Sequence, residues 1–109
     1  MPDAPRPPET YRQFVERYPE LAQAWELIAA GGRVGPLDAK TQRLIKLAVA
    51  IGALREGAVH SSVRKAAAQG IVRAEIEQVI ALAAGTLGLP ATVAAFSWCQ
   101  DELEKELGG

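Results

Sequence analysis

Cysteine is nearly absent from this chain, because Cys99 is the only one among its 109 residues. A single cysteine cannot form a disulfide within the chain, and it cannot supply a Cys-x-x-Cys metal or redox motif. The chain also has a single histidine, His60, and its carboxylates are scattered. These residues do not form a recognisable set of metal ligands. The sequence therefore predicts neither a metal site nor a dithiol centre.

Aromatic residues are scarce as well, at 6% of the chain, although hydrophobic residues make up 49%. The core must therefore be built from Ala, Leu, Ile and Val, which suit closely packed helices. A monomer of this length removes only about two-thirds of its unfolded surface from water. The surplus of small apolar residues consequently indicates further burial between subunits.

No block of one charge stands out, because 12 Lys and Arg residues are balanced by 13 Asp and Glu residues. The sequence therefore lacks the cluster of basic residues that is typical of nucleic-acid-binding proteins. No apolar run approaches the roughly 18 residues of a membrane span. The N-terminal residues also lack the apolar core of a secretory signal. We therefore expect a cytoplasmic protein with neither nucleic-acid nor membrane partners.

The spacing of apolar and turn-forming residues along the chain predicts helices. Four prolines within residues 1–8 predict an extended lead-in, and residues 9–109 predict a single helical domain. Apolar residues at helical spacing recur between turn and capping residues, and no segment shows the alternation of a strand. The predicted helices cover residues 9–17, 19–32, 39–54, 58–69, 73–87 and 90–106. The expected fold class is an all-α bundle of about six helices.

Single residues refine this prediction. Asp38 is a plausible N-cap for the third helix, and Gly57 is expected to interrupt the chain before the fourth. Trp25 is interpreted as a packing anchor. In the sixth helix, the charged residues 101–106 are expected to be solvated. Its expected apolar face carries Val93, Phe96 and Leu103.

Five segments between residues 37 and 98 carry a family likeness through their order and spacing. They cover residues 37–50, 62–66 (Ser-Val-Arg-Lys-Ala), 69–70 (Gln-Gly), 74–80 and 88–90 (Gly-Leu-Pro). Together they resemble the carboxymuconolactone decarboxylase/AhpD-like family. The resemblance implies an all-helical domain that assembles as a homotrimer or a homohexamer.

The peroxidase branch of that family uses Cys-x-x-Cys, a following His and a Glu on the preceding helix. Laid on this chain, the motif puts the two cysteines at Arg55 and Ala58, the His at Ser62 and the Glu at Arg43. All four positions lack the required group. Because one thiolate must attack the peroxide and a second must resolve it, dithiol peroxidase activity is not expected.

The decarboxylase branch acts on a lactone that bears a carboxylate, and the resemblance implies that it needs no cofactor or metal. Loss of carbon dioxide needs a cation to bind the carboxylate and a proton donor for the carbon. The candidate cations are Arg43, Arg55 and Arg64, and the candidate catalytic proton donor is His60. If the fourth helix includes Glu56, this carboxylate lies one turn before His60 and could orient its ring.

Each candidate also has a structural interpretation. His60 could belong to a surface or interface charge network, and Arg43 and Arg55 could pair with acidic neighbours. Cys99 could be a buried small hydrophobe or, if exposed near a cation, a peroxidatic thiol.

Three functions therefore stay open. The first is a cofactor-free decarboxylase or lactone-processing enzyme for a small carboxylate, with His60 as the proton donor. The second is a non-catalytic oligomer that binds a small anion or a protein partner. The third is a thiol peroxidase that uses Cys99. The resemblance favours the first.

Overall fold

The computed structural model describes residues 9–107 of the chain. These residues form six helices, and the described part of the chain contains no strand. The predicted all-α class is therefore confirmed, whereas the predicted lead-in at residues 1–8 lies outside the described residues. The helices are α1 (Glu9–Arg17), α2 (Pro19–Gly32), α3 (Ala39–Gly52), α4 (Glu56–Ala68), α5 (Arg73–Leu87) and α6 (Leu89–Leu107).

The described residues fall into two compact units, one of residues 9–37 and one of residues 38–107. In the first unit, the rings of Phe14 and Tyr18 lie 5.1 Å apart. Neither α1 nor α2 buries a residue. Trp25 is 57% exposed, so the expected packing anchor is not buried in the single chain. Two short helices cannot surround an indole without a further element.

The second unit is a four-helix bundle, because α4 packs against α3 and α6, and α5 packs against the same two helices. Its core consists almost entirely of small and medium aliphatic side chains, as the composition predicted. Within residues 9–107, no helix combines the length and apolarity needed to cross a membrane. The core residues are Leu47, Ala50, Ile51, Val59, Val63, Ala66, Ile71, Ile76, Ile80, Ala95, Cys99 and Leu103.

The connection between α3 and α4 is shorter than the sequence predicts, because Gly57 is the second residue of α4 and does not interrupt the chain. Leu54 has a φ of 53°, which is in the left-handed region. Its N–H donates to the Ile51 carbonyl, and the Arg55 N–H donates to the Ala50 carbonyl. This pair of hydrogen bonds is a Schellman motif, with a leucine in the position usually held by glycine.

The buried face of α6 also differs from the prediction. Leu103 is buried as expected, whereas Val93 and Phe96 are 55% and 44% exposed. The prediction that residues 101–106 of α6 are solvated is wrong for Glu102, which is only 4% exposed. The reason is that α6 stays packed on α4 through this turn, as the contacts of Glu102 with α4 demonstrate.

Candidate functional site

A buried carboxylate on α6, Glu102, organises the polar contacts between α6 and α4. Its Oε1 atom lies 3.0 Å from Nδ1 of His60, and it accepts a hydrogen bond of 3.3 Å from Arg64. The Lys105 ammonium lies 3.9 Å from the same oxygen. A carboxylate withdrawn from water needs such partners, because an unpaired buried charge is strongly destabilising. The network therefore fixes α6 to α4 and fixes the His60 ring.

The sequence of α4 explains how these groups meet. Glu56, His60 and Arg64 follow one another at four-residue spacing, which puts them on one face of the helix. Val59 and Val63 are buried in the core beside them. His60 consequently lies at the edge of the core, and its side chain is 19% exposed.

The two ring nitrogens of His60 have different surroundings. Because the Glu102 carboxylate can only accept, Nδ1 must carry the proton in that contact. Nε2 lies 3.6 Å from Oε2 of Glu56, whose side chain is 62% exposed. In the neutral ring, Nε2 is therefore the nitrogen that can take up a proton on the solvent side. A histidine held in this way can exchange a proton through its solvent-side nitrogen.

His60 opens onto a surface cleft of about 460 Å³. The cleft is also lined by Glu56, Asp101, Glu104 and Lys105. Three carboxylates and one ammonium make this lining net negative when the ring is neutral. Among the described residues, Lys105 is the one lysine or arginine of this lining, and its side chain is 69% exposed.

The three predicted carboxylate-binding arginines lie in different places. Arg64 is held on Glu102. Arg55 is the exposed N-cap residue of α4, and its side chain makes no capping hydrogen bond. The Nε of Arg43 donates to the Gln69 amide at 3.2 Å. Gln69 is more than two helical turns, roughly 13 Å, from His60 along α4, so Arg43 does not share the His60 cleft.

The positions that matter for thiol chemistry offer no reactive group. Cys99 is fully buried, and its pKa is raised to about 12 by burial and by the charge of Glu77. Since the thiolate is the reactive form, both the burial and the raised pKa disfavour thiol chemistry at Cys99 in the folded chain. Ser62, where the peroxidase motif has its His, is buried, and its hydroxyl has no hydrogen-bond partner. Among residues 9–107, no group of three or more His, Cys, Asp and Glu side chains could hold a metal ion.

Sequence reasoning missed Glu102 because it lies in a run of charges. The available signal was the helical spacing of α6. Ala95 and Cys99 are buried, and a further step of three or four residues reaches Glu102 and Leu103. A carboxylate on the buried face of a helix requires a partner, and the arginine and histidine of α4 were the candidates.

The fold and the site define a small helical-bundle protein with a carboxylate–histidine pair and no redox cysteines. The chain matches the model of the Carboxymuconolactone decarboxylase family over residues 19–101. It therefore belongs to the carboxymuconolactone decarboxylase family. The matched segment includes His60 and ends one residue before Glu102. Searches among curated proteins and among solved structures gave no significant match.

Proposed function

We propose that this protein is a cofactor-free decarboxylase or lactone-processing enzyme for a small substrate that bears a carboxylate. The family membership supports this class of chemistry. The observation that carries the proposal is the 3.0 Å contact between Nδ1 of His60 and Glu102. It holds the ring of the only histidine at the edge of a cleft with Nε2 on the solvent side.

In the proposed reaction, the bond between the substrate carbon and its carboxylate breaks, and carbon dioxide leaves. The electron pair of that bond stays on the carbon, stabilised by the conjugated lactone carbonyl. The protonated Nε2 of His60 delivers a proton to this carbon, and water then restores the proton to the ring. Glu102 contacts Nδ1 and keeps it from turning towards the cleft.

Lys105 is the cation that we propose for the substrate carboxylate. It lines the cleft and is largely exposed, so it can leave Glu102 without stranding a buried charge. Arg64 has less freedom, because its side chain is 24% exposed and donates to Glu102. Lys105 therefore replaces Arg43 as the carboxylate-binding candidate, and neither Arg55 nor Arg64 lines the cleft.

The test is the release of carbon dioxide from carboxymuconolactone by wild type, His60→Gln, Glu102→Gln and a control, Glu26→Gln. Glu26 is an exposed residue of α2, so its variant should match wild type. Loss of the proton donor should lower kcat by about 100- to 10,000-fold. Glu102→Gln should lower kcat with little change in KM. Unchanged turnover by a folded His60→Gln protein would remove the proposal.

The second candidate is a non-catalytic binding protein of this family, and the net negative lining of the cleft favours it. Three carboxylates oppose an anionic substrate, and the His60–Glu102 contact would then serve to join α6 to α4. This candidate predicts no turnover by wild type and a loss of stability in His60→Gln.

We also infer that the protein works as a homotrimer or homohexamer. The support is the exposure of large apolar side chains on the bundle, which a solitary subunit leaves in water. Ile45 and Leu82 line a groove of about 610 Å³ between α3 and α5. The exposed residues include Ile45, Val49, Leu82, Leu89, Val93 and Phe96.

A further inference from the structure

A cluster of positive side chains lies on the surface shared by α3 and α4, away from the His60 cleft. The Arg43 guanidinium near the start of α3 donates to Gln69 just after the end of α4. The two helices therefore run antiparallel. Lys46 lies one turn after Arg43 on α3, and Lys65 lies one turn before Gln69 on α4, so the two lysines come side by side. We call Arg43, Lys46 and Lys65 the α3–α4 basic cluster.

These three cations lack acidic partners among residues 9–107. The side-chain bond of Arg43 is to a neutral amide, and neither Lys46 nor Lys65 forms an ion pair there. Four other cations of the same unit are paired with carboxylates. Lys40 pairs with Glu75, Arg73 with Glu77, and both Arg64 and Lys105 with Glu102.

Electrostatic effects on the cluster agree with this geometry. Burial lowers the pKa of Lys65, and the charges of Arg43, Lys46 and Arg64 lower it further. Burial also lowers the pKa of Arg43. Within residues 9–107, no carboxylate raises the pKa of either residue. The cluster is therefore a place where added negative charge relieves repulsion.

We propose that the α3–α4 basic cluster binds a small phosphate-bearing anion. The three cations come from two helices and lie near one another, so the group that contacts all of them must present several oxygens around one atom. A carboxylate group presents two oxygens in one plane, whereas a terminal phosphate presents three oxygens around phosphorus. The half-buried, Gln69-bound guanidinium supplies directed N–H donors, and the two flexible lysines supply point charges. The cluster is too small, and the chain too balanced in charge, for a nucleic-acid surface.

Calorimetric titration of the full chain with inorganic pyrophosphate tests this proposal, with citrate and potassium chloride at matched ionic strength as comparisons. Wild type should bind pyrophosphate at least tenfold more tightly than citrate and show no saturable response to chloride. Lys46→Gln and Lys65→Gln should each weaken binding about tenfold. Arg12→Gln removes a paired cation of α1 and should bind like wild type.

The folded state of each variant is checked by its thermal unfolding without ligand. Because each substitution removes repulsion within the cluster, the melting temperature should stay the same or rise. Equal binding by wild type and both lysine variants, or a response that chloride reproduces, would mean an adventitious ion only and would overturn the proposal. Equal affinity for citrate would overturn the phosphate class. None of these results depends on turnover at His60, so the two proposals fail independently.

Discussion

At the scale of single residues, the buried carboxylate of Glu102 contributes both to the stability of the fold and to the proposed chemistry. In Glu102→Gln the shape is kept, but the half-buried Arg64 loses its counter-ion. We expect the free energy of unfolding to fall by about 1–3 kcal/mol. Urea denaturation followed by circular dichroism measures this. Glu104→Gln, an exposed neighbour on α6, should change it by less than about 0.5 kcal/mol. Equal effects of the two substitutions would contradict the buried network.

Leu54 gives a second residue-scale prediction. A left-handed conformation costs a residue other than glycine roughly 1–2 kcal/mol, while glycine loses about 0.5–1 kcal/mol more chain entropy on folding. About half of the Leu54 side chain is also removed from water, and losing that burial costs roughly 1 kcal/mol. Leu54→Gly should therefore change the free energy of unfolding by less than about 1 kcal/mol. Ala53→Gly, one residue earlier in a right-handed conformation, should lower it. If Leu54→Gly is the destabilising variant, the leucine side chain makes contacts that outweigh its backbone strain.

Cys99 should not react with oxidants in the folded protein. Its full burial and raised pKa of about 12 predict that hydrogen peroxide leaves the folded thiol intact. Intact-mass spectrometry after peroxide treatment measures this, and the same treatment in denaturant is the control in which the thiol should oxidise. Rapid sulfenic acid formation in the native protein would restore the thiol peroxidase hypothesis.

At the scale of elements, the starts of α3 and α5 carry acid-sensitive caps. The Thr41 N–H donates to Asp38 at 2.7 Å and holds the pKa of Asp38 below its usual 3.8. Lys40, together with the Val72 N–H, lowers the pKa of Glu75 from its usual 4.5. Both carboxylates bind protons less readily in the folded state. Their contribution to stability is therefore present above the unfolded pKa and is lost as the pH falls through the folded one.

Asp38→Asn separates capping from titration, because asparagine is also a good N-cap but keeps its charge constant. Between about pH 5 and pH 3, the variant should lose less stability than wild type. Thermal unfolding at several pH values measures the difference. Asp101→Asn, which removes an exposed carboxylate outside any N-cap, should follow the wild-type curve. A wild-type pH dependence in Asp38→Asn would show that the cap does not contribute to acid sensitivity.

The start of a helix could be predicted where the sequence carries a local capping or proline signal. Asp38 identified the start of α3, and Pro19 that of α2, because caps and proline act through nearest neighbours. Gly57 was misinterpreted because a glycine near a helix start resembles a break. The burial of Glu102 could not be predicted locally, since it depends on how far α6 extends along α4. The separation of Arg43 from His60 likewise follows from the antiparallel packing of α3 and α4.

At the scale of the whole molecule, the apolar exterior of the bundle predicts self-association. Light scattering coupled to size exclusion should give a multiple of the single-chain mass. Leu82→Glu, in the groove between α3 and α5, should shift the protein towards single subunits. Gln13→Glu adds the same charge to α1 and should leave the mass unchanged. A monodisperse single subunit in wild type would contradict the oligomer.

In the proposed site, Glu102 holds Nδ1 of His60 and leaves Nε2 to exchange protons with the contents of the cleft. Because the chain has one histidine, nitrogen-15 NMR of the imidazole reports on this ring alone. We expect the neutral ring to carry its proton on Nδ1 in wild type and to lose that preference in Glu102→Gln. A neutral ring that is protonated on Nε2 in wild type, or that is insensitive to Glu102→Gln, would contradict this expectation.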